Sequence, residues 1–368
     1  MYSDIYYYSE LNIVGRNDIN GFGTYEHKKE FKVNRYLINN KWIISSNNIN
    51  LSREDLSEPR KPYEKCEGKY IHESVNYWKN ISEEINKIIS NNIDLNLLII
   101  SKYIKRNIIS NEFECHEEKI INYIELCRYK FSYLGNIAEL KDIINFLREK
   151  CREIITLSTK RVWEIQGRVE AVIDPEIFAT VLHYFIRDFL NGNLPKFQLN
   201  QKILGDISVY DNPLNTYCAG LHYFDDEGVK TKRKEILGDG YVIDYLGTRT
   251  SKYGEPGNAR GIIPEPDYFC MEIKGGDWRL EELFEENKQG IFVSGVLRSE
   301  KVDNSVRIIP RYVRKGDKEY LKVREIAIPF TELLSINGIS REIMNVSVDE
   351  FHFSIAPFIK MPIRIILF

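Results

Sequence analysis

The chain has 368 residues, 43% of them hydrophobic and 29% charged, with 51 basic against 54 acidic side chains and a formal net charge of -3. That length buries a sizeable core and suits two domains or one large one. The near-neutral balance supplies no single-sign field of the kind that nucleic acid or an anionic membrane calls for.

The N-terminal stretch MYSDIYYYSELN has no basic segment followed by an apolar run, so no signal peptide is expected. The longest apolar runs, such as 97–100, are far too short to span a bilayer, and the expected location is cytoplasmic. Residues 1–57 read as β-rich, with Asn39-Asn40 as a turn between two strands. A polar, proline-containing loop is expected over 58–75. Ile81, Ile85, Ile88 and Ile89 then form one apolar helical face, closed by Asn91-Asn92. Strands follow over 95–109 and 119–134, joined by an acidic connection at 111–118. A second amphipathic helix is predicted over 137–157, its stripe made of Leu140, Ile143, Ile144, Leu147, Cys151, Ile154 and Ile155.

Residues 161–173 alternate as a strand or hairpin. Asp174-Pro175-Glu176 is a helix start: Asp caps, Pro takes the first helical position and Glu faces the positive end of the dipole. That helix ends at Asn191-Gly192-Asn193. Beyond Pro195 the pattern is β-dominated, apart from helix over 280–289 and a second short stretch over 330–337. Residues 354–368 read as a strand pair limited by Pro357 and Pro362. The domain boundary falls near 158–175, dividing the chain into 1–160 and 161–368. The six cysteines, Cys66, Cys115, Cys127, Cys151, Cys218 and Cys270, form no CxxC pair and are expected as reduced, buried thiols. Adjacent Cys115 and His116 rarely converge on one metal ion.

The most recognisable stretch runs from Tyr223 to Gly261. It holds an acidic turn, Asp225-Asp226-Glu227-Gly228, expected to be solvated; a hairpin around Asp239-Gly240; and the loop Gly257-Asn258-Ala259-Arg260-Gly261. The spacing of the acidic turn is not that of an EF-hand, and the loop lacks the Lys-Ser/Thr of a P-loop. Lys230 to Lys234 is a short basic run better suited to a solvated edge than to nucleic acid. Together with the Asp-Pro-Glu helix, the segment from Gly276 to Leu283 and the Ala356-Pro357 strand, this order of landmarks resembles the TldD/PmbA family. These are metalloprotease-related proteins, also called modulators of DNA gyrase. The resemblance implies an α+β, two-domain fold: an N-terminal mixed sheet with helices, and a β-rich C-terminal domain carrying the metal-motif helix over about 174–190. It covers most of 160–368.

In catalytic members of that family the helix after the Asp-Pro-Glu cap carries H-E-x-x-x-H, two histidines for a metal and a glutamate as general base. Here that position reads His183-Tyr184-Phe185-Ile186-Arg187-Asp188. Tyr184 replaces the glutamate and Asp188 the second histidine. His183 and Asp188 lie about 140° apart on a helix of ~3.6 residues per turn and do not converge on one ion without distortion. The family's C-terminal cysteine ligand is also missing from 350–357, where His352 is the only substitute in view. A metal held by His183, Asp188 and His352 is thus not expected; zinc belongs in a catalytic paralogue, and no cofactor is assigned here. Asn258 and Arg260 are the candidate substrate-binding residues, able to fix backbone groups or hold a peptide carboxylate. His222 lies near Cys218 without a triad signature.

Three readings remain open at this point. The first is a non-catalytic subunit that pairs with an H-E-x-x-x-H-bearing paralogue, or forms a homodimer, around a peptide chamber. The second is an active metallopeptidase with a rebuilt site. The third is a stand-alone peptide-binding scaffold.

Overall fold

A computed structural model of the chain describes residues 2–18, 21–46, 61–92, 96–137, 140–158, 161–287, 290–316 and 319–367. Alternating side chains drive the first sheet. β1 (Ser3–Asp18) and β2 (Gly21–Ile38) form a long antiparallel hairpin. β3 (Lys41–Ser45) follows through Asn39 and Asn40, whose φ of 49° and 59° suits a two-residue hairpin turn. With β4 (Gly68–Ile71), β5 (Leu97–Ser110) and β6 (Glu114–Leu126), the order is β3-β2-β1-β5-β6-β4, and β7 (Tyr129–Leu134) pairs with β6.

Three expectations change here. The strand expected over 119–134 is a hairpin, turning at Cys127 and Arg128 with φ of 51° and 65°. The acidic connection is mostly β6, because Glu117 faces inward against Arg106 and Lys119, which lets an acid occupy a buried strand position. The loop over 61–75 contains β4 and leads into a 3-10 turn (Glu73–Asn80) capped by His72.

The two predicted helices cover one face of this sheet. α1 (Ile81–Ser90) buries Ile81, Ile85 and Ile89, and α2 (Leu140–Ser158) buries Ile144, Leu147 and Cys151, against Ile13, Ile99, Ile120 and Ile124. The side chains of Ile154 and Ile155 lie outside the described residues.

The second sheet is built on later strands: β8 (Arg161–Trp163), β9 (Gly167–Ile173), β10 (Val209–Asp211), β11 (Lys234–Gly238), β12 (Tyr241–Val242) and, in a separate pair, β13 (Ala259–Arg260) and β14 (Glu265–Pro266). β15 (Cys270–Ile273), β16 (Ile291–Val302), β17 (Ser305–Lys315), β18 (Glu319–Leu321), β19 (Glu325–Pro329), β20 (Gly338–Ser347) and β21 (Phe353–Ile366) complete it. Its order is β12-β11-β10-β15-β21-β9-β16-β17-β18-β8, with β19 and β20 joining at β21. The expected terminal strand pair is one strand. β21 runs centrally through Pro357 and Pro362, with Pro357 opposite Ile343 beside a register shift in β20, where the proline's missing N–H is tolerated. β8 and β9 do not pair with each other either; β8 lies on β18 and β9 between β21 and β16.

α3 (Pro175–Phe189) packs on β21 and β16, burying Phe178, Val181, Leu182 and Phe185. Its cap follows the sequence: Asp174 accepts from Ile177 N at 3.0 Å and Pro175 opens the helix. α4 (Leu280–Glu286) and a 3-10 turn (Phe330–Ser335) fall where helix was expected. Residues 190–270 carry less strand than their pattern suggested. Buried polar side chains satisfy the backbone there instead: Asp211 Oδ1 accepts from Phe269 N at 2.9 Å and Cys270 N at 3.0 Å. The hairpin at Asp239 and Gly240 has φ of 47° and 83°, and any Cβ at Gly240 would collide with the Leu204 carbonyl.

The acidic turn is not solvated. It is the seam between the two sheets. Asp225 accepts from Glu227 N and Val229 N, both at 2.9 Å, and from Ala259 N at 3.1 Å, tying the turn to the 257–261 loop. Asp226 receives Arg106 and the Tyr6 hydroxyl (2.9 Å) from the first sheet and Gly261 N (2.7 Å) from its own side. Burial raises the Asp226 carboxyl, but Arg106 and these hydrogen bonds outweigh it and hold it below the ordinary range. Glu227 accepts from Trp42 Nε1 at 2.7 Å and Arg249 N at 2.6 Å. Burial, then the charge of Asp225, pushes Glu227 up to about 7. Arg249 is stacked over Tyr2 and Tyr63, 3.7 and 4.2 Å from their ring centres. Lys119 reaches across to the Leu221 carbonyl, and burial lowers its pKa to about 8.

The cysteines also depart from expectation. They form three pairs, Cys66–Cys115, Cys127–Cys151 and Cys218–Cys270, with Cα separations of 5.9, 5.8 and 6.3 Å, inside the disulfide range. Partners 24 to 52 residues apart in sequence are brought together by the folded chain, which no local spacing announces. Among the described residues no helix is long and apolar enough to cross a membrane.

Candidate functional site

α3 delivers His183, Tyr184, Arg187 and Asp188 to one pocket of about 610 Å³, closed on its far side by Arg260, Asp267 and Lys301. His183 is 5% exposed. Its Nδ1 lies 2.8 Å from the Tyr268 hydroxyl, and its Nε2 lies 3.3 Å from Arg187 Nη1. Arg187 Nε is 3.2 Å from Asp267 Oδ2, and the same carboxylate oxygen is 2.8 Å from His352 Nε2. His352 Nδ1 in turn faces Asp349 Oδ2 at 2.8 Å. Tyr268, His183, Arg187, Asp267, His352 and Asp349 are thus one chain of hydrogen bonds closed by the Arg187–Asp267 ion pair.

The charges follow from this chain. Burial first, then the neighbouring His352 and Arg187, lowers the His183 pKa to about 3. The ring is neutral at physiological pH. A guanidinium only donates, so Nε2 accepts from Arg187 and the proton on Nδ1 points to Tyr268. Burial and then Asp267 raise the Tyr268 phenol well above its usual range. Burial opposes ionisation of Asp267 and Asp349, but the His352 contact overrides it and holds both carboxyls below the ordinary range.

The degenerate motif has a clear disposition. Tyr184 points its hydroxyl at Ser299, 3.4 Å from the carbonyl oxygen and 3.3 Å from the Oγ, so no carboxylate base stands where the family has one. The carboxylate of Asp188 is bound to Lys301. His183 and His352 do come together, their ring centres 4.5 Å apart, with Asp349 as the third group in place of Asp188. The potential ligand atoms of His183, Asp349 and His352 all lie within 4.8 Å of one another. They do not fit a metal as arranged. Both nitrogens of His352 are already engaged, Nε2 by Asp267 and Nδ1 by Asp349, so in this arrangement neither is turned to an ion. The one lone pair of His183 is taken by a guanidinium, whose charge repels a second cation.

Asn258 is 1% exposed and its amide is committed to the fold: Nδ2 donates to Asp211 Oδ2, and Oδ1 accepts from Lys234 Nζ and Gly247 N. Arg260 lies at the pocket, donating to the Tyr268 carbonyl at 2.7 Å and the Phe351 carbonyl at 2.9 Å. His222 bonds the Gly220 carbonyl, and Cys218 is paired with Cys270, so they form no nucleophilic pair. The basic run is neutralised locally, Lys230 by Glu64, Lys232 by Glu255 and Arg233 by Glu272. Sequence reasoning missed Asp267, Tyr268 and Asp349. Only Asp349, three residues before His352, left a local trace.

This fold and site define a two-sheet α+β architecture with a closed polar network on the helix that follows the Asp-Pro-Glu cap. Residues 166–343 match the PmbA/TldA metallopeptidase C-terminal domain. The chain is 27% identical over 199 residues to a metalloprotease of Methanocaldococcus jannaschii, and 24% identical over 200 residues to a zinc metalloprotease TldD homolog of Saccharolobus solfataricus. Each match takes in 49% of this chain and 42% or 43% of the relative, so the chain spans under half the length of these curated relatives. The fold is similar over the whole chain to TldE from Thermococcus kodakarensis, with a TM-score of 0.74 at 15% identity, covering 100% of this chain and 96% of that one. It is also similar to a putative modulator of a DNA gyrase from Thermotoga maritima, with a TM-score of 0.72 at 14% identity and coverage of 99% and 95%. The C-terminal half of the chain, residues 166–343, belongs to the TldD/PmbA family.

Proposed function

We propose that this protein is the non-catalytic subunit of a TldD/PmbA-type peptide-processing complex, pairing with a paralogue that carries H-E-x-x-x-H and holds the zinc. One observation carries the reading: Arg187 bridges His183 and Asp267, a fixed cation where a hydrolytic member keeps a metal and its water. With Tyr184 in place of the glutamate, that position of α3 offers no carboxylate to activate a water. What remains is a recess with Arg260 and Lys301 at its wall, suited to hold an unfolded or precursor peptide beside a partner's active site. Arg260 is the residue on this wall best placed to meet a peptide carboxylate.

Native mass spectrometry and metal analysis of the protein purified from its own source test this. The expected result is a stoichiometric complex with an H-E-x-x-x-H chain, metal confined to that chain, and peptide cleavage only when both are present. Chelator-sensitive cleavage by this chain alone would overturn the reading in favour of a rebuilt metallopeptidase. Peptide binding by a monomer with no partner would favour a stand-alone scaffold.

A further inference from the structure

The three cysteine pairs differ in their access to solvent. Cys66, Cys115 and Cys270 are 0% exposed, Cys218 is 2% and Cys151 is 6%, whereas Cys127 is exposed. The pairs Cys66–Cys115 and Cys218–Cys270 are therefore closed at both ends, and Cys127–Cys151 is open at one. Thiol–disulfide exchange begins when a thiolate reaches a sulfur, so access decides which pair reacts while the protein stays folded. Exposed disulfides are the labile and regulatory ones.

The two ends of this pair sit in different surroundings. Cys151 belongs to the buried stripe of α2 with Ile144 and Leu147. A free cysteine packs there as a small hydrophobe, so α2 stays seated when the pair opens. Cys127 lies in the β6–β7 turn, where it and Arg128 both take the left-handed conformation that ordinary residues disfavour, with φ of 51° and 65°. The disulfide ties this turn to α2, and Arg311 Nη2 donates to the Arg128 carbonyl at 2.8 Å. The same Nη2 is 2.8 Å from Glu176 Oε2, and the guanidinium lies 3.7 Å from the centre of the Tyr129 ring. Glu176 in turn accepts from Val296 N at 3.1 Å in the first turn of α3. One guanidinium thus joins the turn that holds Cys127 to the start of the helix that carries His183.

We propose that Cys127–Cys151 is a redox switch: a small thiol such as glutathione opens this pair alone in the folded protein, which loosens the 127–128 turn and, through Arg311, the first turn of α3. The thiolate attacks Cys127 Sγ, forming a mixed disulfide and expelling Cys151 as a thiolate that takes a proton from water. A second thiolate attacks the glutathione sulfur and expels the Cys127 thiolate, which is protonated in turn. Two small thiols are oxidised to one disulfide, and the protein pair is reduced to two thiols. The inference is independent of the proposed subunit role. The full chain in native buffer, held at graded ratios of reduced to oxidised glutathione, tests it; each sample is acid-quenched, unfolded, alkylated and read by peptide mass. Cys127 and Cys151 are expected to become available to label at least about tenfold faster than the other four cysteines, with the circular dichroism spectrum unchanged. In amide hydrogen exchange, peptides spanning 127–134 and 175–182 exchange faster in that form than in the fully oxidised one. Cys127→Ser combined with Cys151→Ser reproduces the faster exchange and removes its dependence on glutathione. No opening of the pair, another pair opening first, all three opening together, or exchange at 175–182 that ignores the state of the pair would each overturn the proposal.

Discussion

Arg187 stands between His183 and Asp267, with its Nη1 3.3 Å from the imidazole Nε2 and its Nε 3.2 Å from the carboxylate. One side chain therefore occupies the lone pair of His183 and an anionic oxygen of Asp267. Arg187→Ala is expected to free both. Equilibrated with zinc and desalted, the wild type retains no stoichiometric metal, whereas the variant takes up about one ion per chain by mass-spectrometric metal analysis. Metal uptake by the wild type at the variant's level would show that the guanidinium does not block the site.

The same site sets a pH dependence. The folded His183 titrates at about 3, well below its unfolded value of about 6.5. Between those values the unfolded chain binds more protons, so stability rises with pH across the window. The contribution is full above about pH 6.5 and is lost as pH falls toward 3; each unit of separation is worth up to ~1.4 kcal/mol. Urea unfolding at pH 7.5 and pH 5 measures it. His183→Gln should flatten the slope, and an unchanged slope in that variant would assign the effect elsewhere.

Glu227 acts in the opposite direction. Its folded carboxyl is raised to about 7 by burial and Asp225, so its contribution is full below about pH 4.5 and declines as pH rises through 7. Glu227→Gln is expected to remove this decline on the alkaline side, read from the same unfolding series between pH 5 and 8.

The seam between the sheets should be far more sensitive than the surface. Arg106→Ala leaves Asp226 and Glu117 buried beside a missing charge, at a cost of about 3–5 kcal/mol. Lys230→Ala, which breaks an exposed pair with Glu64, costs less than about 1 kcal/mol. Chemical unfolding of the two variants side by side checks the contrast; similar losses would mean that the seam is not held by its charges.

The cysteine pairing is testable by mass. Alkylation under non-reducing, denaturing conditions should label no cysteine, and after reduction all six. Replacing Cys127 and Cys151 together by serine is expected to lower stability by about 3 kcal/mol through the loop entropy returned to the unfolded chain. Quantitative labelling without reductant would restore the reduced-thiol expectation.

The parts of the fold that were legible in the sequence are those set by local chemistry. The Asn39-Asn40 and Asp239-Gly240 turns, the Asp174-Pro175-Glu176 helix start and the isoleucine stripe of α1 each depend on residues within a few positions of one another. The failures are non-local. Glu117 looked like part of an acidic connection because its partners, Arg106 and Tyr223, are on other strands and loops. Asp225 and Glu227 looked exposed because their donors include Trp42 and Arg249. At the site, the loss of the glutamate and second histidine was readable from α3 alone. That Arg187 fills the vacated position was not, since Asp267 arrives from a loop eighty residues further on.

The seam also constrains the order in which the protein is made. Arg106 and Asp226 are 120 residues apart, and Arg35 waits still longer for the Ile262 carbonyl. At about 5–20 residues per second, the ribosome delivers Asp226 some 6–24 s after Arg106. Through that interval Arg35, Arg106 and Lys119 have only Asp4 and Glu117 of their folded-state acidic partners already synthesised. Docking of the 224–228 turn is therefore a late event in biosynthesis, and the charged side chains of the first sheet become interior only when the turn emerges.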